Sequence, residues 1–151
     1  MTWVNLNWLD AAMEEAKQGL REGGIPIGSV LVDPETGNIV ARGHNRRIQN
    51  GDPTAHAEME CFKNAGRRKD WHKLVLVSTL SPCPMCSGTA ILYKVPRIIV
   101  GENINYTSPA EKWLTESKVT VHLEQNKECI DMMENFIKTK PGLWNEDIHD
   151  I

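Results

Sequence analysis

The 151-residue chain has no apolar run approaching the roughly 18 residues that a transmembrane helix needs. Its first ten residues carry neither a basic leader nor a continuous apolar stretch. A soluble, cytoplasmic protein without a membrane partner is expected. Charge of one sign is also scarce: 20 acidic against 17 basic side chains leave a formal charge of -3, whereas nucleic-acid binders more often carry a net basic face. No nucleic-acid partner is expected, and the short basic runs Arg46-Arg47 and Arg67-Arg68-Lys69 are of the kind usually solvated. Four cysteines are too few for a disulfide scaffold. Repeats, linkers and low-complexity segments are absent too, so residues 1–151 read as a single domain.

What is present is an alternation of periods. Leu9, Ala12, Met13, Ala16 and Leu20 recur at helical spacing and stop at Gly23-Gly24. Ile27 to Val32 and Ile39 to Ala41 are β-prone runs around the turn formers Asp33 to Asn38, which predicts a hairpin. A helix is expected over Ala55 to Asn64, a strand buried on both faces over Leu74 to Ser78, and a helix after Pro82. Strands over Arg97 to Val100 and Val119 to Leu123 flank a short helix at Ala110 to Glu116. A last helix over Asn126 to Lys138 is stopped by Pro141-Gly142. This order predicts a three-layer α/β/α sandwich with a central mixed sheet of about five strands.

Two motifs carry the chemistry: His56-Ala57-Glu58 and Pro82-Cys83-Pro84-Met85-Cys86. Each opens a predicted helix, so one imidazole and two thiols converge where two helix N-termini meet, and that positive potential favours thiolates. His56, Cys83 and Cys86 suit a single Zn²⁺, with water in the fourth tetrahedral position. Glu58, two residues from His56, is placed to take a proton from that water and return it to a ring nitrogen and a leaving amine. That is machinery for hydrolytic deamination. A closed structural zinc in a noncatalytic module remains the alternative, with Cys61 or His44 as fourth donor; a redox C-x-x-C would not require His56-Ala57-Glu58. Cys61 and Cys129 otherwise read as small core residues, and His72, His122 and His149 receive no role.

The H-x-E and P-C-x-x-C pair is the signature of the zinc deaminases, and the resemblance extends beyond it. Glu22 to Gly28, Arg42-Gly43-His44-Asn45, Thr79 to Cys86, Val100 to Tyr106 and Trp144 to Ile148 resemble fungal-type cytosine deaminases of the zinc-dependent cytidine and deoxycytidylate deaminase superfamily. The resemblance implies deamination of a free base, cytosine to uracil and ammonia, in a homodimer whose interface lies near the zinc-binding helices. It implies that Asn45 binds the polar edge of the base, that the Ser81 carbonyl and Asp147 accept from the exocyclic amine, and that the Ala57 N–H faces the carbonyl oxygen. Ile27 and Leu80 would line the ring, Trp144 would enclose it, and the segment 143–151 would form a lid. Two positions depart from the family: Ala57 replaces a common glycine, and Tyr106 stands where a ring-stacking phenylalanine is usual. Asp52 to Glu58 resembles guanine deaminases, and alanine at position 57 also occurs in transfer-RNA adenosine deaminases, so guanine, isocytosine or another modified pyrimidine, and transfer RNA stay open as substrates.

Overall fold

A computed structural model describes residues 3–150; Met1, Thr2 and Ile151, the last residue of the expected lid, lie outside them. Five strands, β1 (Gly28–Val32), β2 (Ile39–His44), β3 (Val75–Ser78), β4 (Arg97–Val100) and β5 (Thr120–Leu123), form one sheet in the order β2-β1-β3-β4-β5. The β1–β2 and β1–β3 pairs are antiparallel, and β3–β4 and β4–β5 are parallel. The mixed sheet is therefore as expected, because parallel neighbours require the crossover helices that the alternating pattern supplies.

Side chains on successive strand residues part to opposite faces. Val30, Val32, Val75, Val77 and Ile99 pack with Leu9, Ala12 and Met13 of α1 (Leu6–Arg21) and Cys129 of α6 (Lys127–Thr139). Leu31, Leu76 and Ile98 pack on the other side with Cys61 and Phe62 of α3 (Ala57–Ala65), Ala90 of α4 (Pro84–Leu92) and Leu114 of α5 (Glu111–Glu116). Three layers result, and Cys61 and Cys129 are core residues on opposite faces. The close docking of α1 depends on Gly28, where an added Cβ would lie 1.9 Å from the Ala12 carbonyl oxygen.

The helix ends follow local chemistry. Asn5 and Asn126 cap α1 and α6 by accepting from the Asn7 and Cys129 N–H groups. Leu20, expected on the buried face of α1, is 42% exposed, because the face runs through Trp8, Leu9, Ala12, Met13, Ala16 and Gly19. Two short helices were not expected. One, α2 (Arg47–Asn50), follows β2 and ends at Gly51 in the left-handed region, φ 59°. The other, α7 (Pro141–Asp147), begins at the proline expected only to stop α6, since proline suits a first helical turn as well as it ends a preceding one. A third apolar cluster, containing Ile25, Ile27, Leu80, Met133, Phe136 and Trp144, joins α6 and α7 to the end of the sheet where β2 and β3 finish. The site lies there.

Candidate active site

His56 is the N-cap of α3 and Cys83 the N-cap of α4, and neither helix start carries a side-chain cap. Cys86 lies one turn further along α4. The three donor atoms converge: Cys83 Sγ is 3.4 Å from His56 Nδ1, Cys86 Sγ is 3.7 Å from the same nitrogen, and the sulfurs are 3.6 Å apart. Tetrahedral zinc at ordinary bond lengths would separate its sulfurs by about 3.8 Å and sulfur from nitrogen by about 3.6 Å. The triangle already has the dimensions of a zinc site, and it is the group of metal-binding type found among the described residues. Neither conceivable fourth donor belongs to it. His44 is held between Glu15 and Glu22 at 2.9 Å on each ring nitrogen, and Cys61 contacts the Ala41 carbonyl.

Electrostatics divide the triad. The bond shared with Cys86 and the neighbouring His56 lower the Cys83 thiol to about 4, while the same shared bond and burial push Cys86 well above the usual thiol range. Burial opposes charge on His56, but the contacts to Asp147 and Cys83 outweigh it and raise the ring to about 10. Glu58, 4% exposed, is raised to about 7 by burial first and by the Cys83 sulfur second. A carboxyl near neutrality can both accept and return a proton.

These groups open into a cavity of about 290 Å³, near the lower end of the roughly 300–1,000 Å³ range of small-molecule sites. Asn45, at the end of β2, and Ile27, before β1, form one wall; Leu80 and Ser81, after β3, form another. Tyr106 and Trp144 meet edge to face with ring centroids 6.0 Å apart and close a third side, with Asp147 beside them. Asn45 is fixed by the Arg47 N–H, which donates to its Oδ1 at 3.0 Å; its Nδ2 is buried without a partner. Asp147 Oδ1 is buried as well, paired with His56 Nε2 at 3.1 Å. The Ser81 hydroxyl is committed to Glu111 at 2.7 Å, so only its backbone remains for a ligand.

Cys86 belongs to the donor triangle but not to the cavity wall, and Ala57 is fully buried and does not line it. Pro53, Pro84, Met85, Ile148 and His149 complete the lining. His149, assigned no role from the sequence, is brought there by α7, a helix whose only sequence signal is Pro141.

A model of the cytidine and deoxycytidylate deaminase zinc-binding region matches residues 4–102. The chain belongs to this family. Within that match lie His56, Cys83 and Cys86 of the donor triangle, Glu58 and Asn45. The family's zinc-binding character and the donor triangle agree on the metal. A cytosine deaminase of Candida albicans is 43% identical over 98% of this chain and 99% of its own length. A tRNA-specific adenosine deaminase of Buchnera aphidicola is 33% identical, covering 88% of this chain and 93% of the relative. A guanine deaminase from Nitrosomonas europaea superimposes with a TM-score of 0.77 at 16% identity, over 88% of this chain and 84% of that one, a likeness of fold.

Proposed function

We propose that the chain hydrolyses free cytosine to uracil and ammonia, acting on the C–N bond of a cyclic amidine. The observation that carries this reading is the pair of buried polar groups in the same cavity wall as Glu58, the unpartnered donor Asn45 Nδ2 and the acceptor Asp147, whose Oδ1 is contacted by His56 Nε2 at 3.1 Å. A small base offering an acceptor edge and an exocyclic amine would satisfy both, and leaving either unpaired costs about 1–3 kcal/mol. The nearly full-length similarity to a cytosine deaminase supports the same choice.

His56 Nδ1, Cys83 Sγ and Cys86 Sγ would hold one zinc ion per chain, which when bound lowers the pKa of a water towards about 7. Glu58 takes a proton from the attacking water and delivers it to N3 of the base. It moves the second proton to N4, which departs as ammonia while oxygen remains at C4. Asn45 orients the polar edge, and the Ser81 carbonyl and Asp147 hold the amine. Ile27, Leu80, Tyr106 and Trp144 enclose the ring, with the described part of the expected lid, residues 143–150, over it.

The reading extends to a cytoplasmic enzyme of pyrimidine salvage acting as a homodimer. Leu92, 69% exposed at the end of α4, and Tyr93, 45% exposed and in ring contact with Phe62 and Trp71, form an apolar face suited to a second copy. Light scattering would give twice the 17.0 kDa chain mass, and a monomer alone would reject the dimer.

The decisive assay measures ammonia released by the zinc-loaded protein from cytosine, isocytosine, 5-methylcytosine, cytidine, guanine and adenine separately. Cytosine should lead; release from guanine alone would overturn the proposal. Glu58→Gln should lose about 10²-fold or more in turnover with its zinc retained, the scale of a general acid–base group.

A further inference from the structure

Arg47, the first residue of α2, stands behind the cavity and does not line it. Its backbone N–H holds Asn45 Oδ1, and its side chain, 18% exposed, reaches across to α7. There Nε lies 3.8 Å from Asp147 Oδ1, and a terminal guanidinium nitrogen lies 4.0 Å from Glu146 Oε1. Both Arg47 Nε and Asp147 Oδ1 are buried, and Arg47 Nε makes no hydrogen bond. A buried donor thus faces a buried acceptor at 3.8 Å, about 0.6 Å beyond the upper end of hydrogen-bond range. The same oxygen is 3.1 Å from His56 Nε2. The carboxylate oxygen thus has the Arg47 guanidinium and the His56 ring both within 4 Å.

We infer that Arg47 is a positioning residue that aims the Asp147 carboxylate at the amine of a bound base. The inference rests on the proposed substrate class, a base with an exocyclic amine. Without Arg47 the carboxylate has only His56 to lean on and turns towards the metal-binding histidine, away from the ligand. With Arg47 present, its pull offsets that of His56 and leaves an oxygen lone pair for the amine. The same residue fixes Asn45 through its main chain, so one position sets both polar readers of the cavity: the donor through its backbone and the acceptor through its side chain.

The test compares zinc-loaded Glu58→Gln protein, which does not consume substrate, with and without Arg47→Ala. Calorimetry measures its binding of cytosine and of pyrimidin-2-one, the same ring without the amine. Arg47→Ala should weaken cytosine about five- to tenfold, the scale of a partly buried charged contact, and leave pyrimidin-2-one within about twofold. Arg47→Lys should recover part of the loss, and Arg47→Ala added to Asp147→Asn should cost nothing further. Equal weakening of both ligands, no weakening of cytosine, or additive losses with Asp147→Asn would overturn the inference. Melting temperature and zinc content verify folding, with Arg47→Lys and Arg47→Gln carrying the comparison if the alanine variant does not fold. Failure of the proposed substrate is separately visible, because the unmodified protein would then release no ammonia from cytosine.

Discussion

Asp147 Oδ1 sits 3.1 Å from Nε2 of His56, while the other ring nitrogen of His56 faces the two sulfurs. A residue of the last described helix therefore touches the far side of a proposed metal donor. Carboxylates behind a ligating histidine fix its orientation and raise its basicity, and removing them typically costs about 10- to 100-fold in metal affinity or activity. Asp147→Ala should accordingly weaken zinc binding by about tenfold in competition with a chelator. Unchanged zinc affinity would show that the contact does not support the ligand.

The cysteines should separate into two classes. Cys83→Ser and Cys86→Ser should abolish stoichiometric zinc, measured by atomic emission on dialysed protein. Cys61→Ala and Cys129→Ala should keep zinc and lower stability by about 1 kcal/mol, as expected for small core truncations. Loss of zinc from either alanine variant would contradict the donor assignment.

Gly28 should be intolerant of any side chain. Besides the Ala12 oxygen, an added Cβ would meet the Ala16 nitrogen at 2.5 Å, and both neighbours are backbone. Gly28→Ala should cost about 3 kcal/mol or more in urea denaturation, or fail to fold. Gly88 in α4 has nothing within 4 Å of its own added Cβ. There alanine should stabilise by about 0.4–1 kcal/mol through helix propensity.

Acid should test the contacts at the end of α1. Glu22 accepts from Gln18, lies 2.9 Å from His44 Nε2 and accepts from Gln49, and these partners, in that order, lower its carboxyl from 4.5 to about 2. Its folded value lies below its unfolded one, so its contribution to stability is complete above pH 4.5 and is lost as the pH falls towards 2. Melting curves of wild type and Glu22→Gln should differ most above pH 4.5 and converge towards pH 2. A gap independent of pH would refute the carboxylate's role.

The layers and the metal motif were readable because each rests on a local pattern. Alternating Val and Leu in β1 and β3 sends side chains to opposite helical layers, and His56 and the two cysteines are brought together by the helix starts they occupy. The short helix α2 was invisible, because four residues, Arg47 to Asn50, present no period and no buried side chain. Arg46-Arg47 reads as a solvated charge pair in sequence, yet Arg47 folds against Asp147 across a separation of one hundred positions. Such a contact is set by tertiary packing, which leaves no mark in the composition of either segment. The expectation for Asp147 came from family resemblance; its nearness to His56 came only with the coordinates.

The match to the family ends at residue 102, while Tyr106, Trp144 and Asp147 lie beyond it. The groups that would bind metal and move protons thus occupy one stretch of chain, together with Ile27, Asn45, Leu80 and Ser81 of the cavity wall, while its aromatic side and Asp147 come from another. Substitutions in the later stretch can retarget the site to a different base without disturbing the earlier one, except at Asp147, whose contact with His56 joins the two. That residue is where a change of diet would meet resistance.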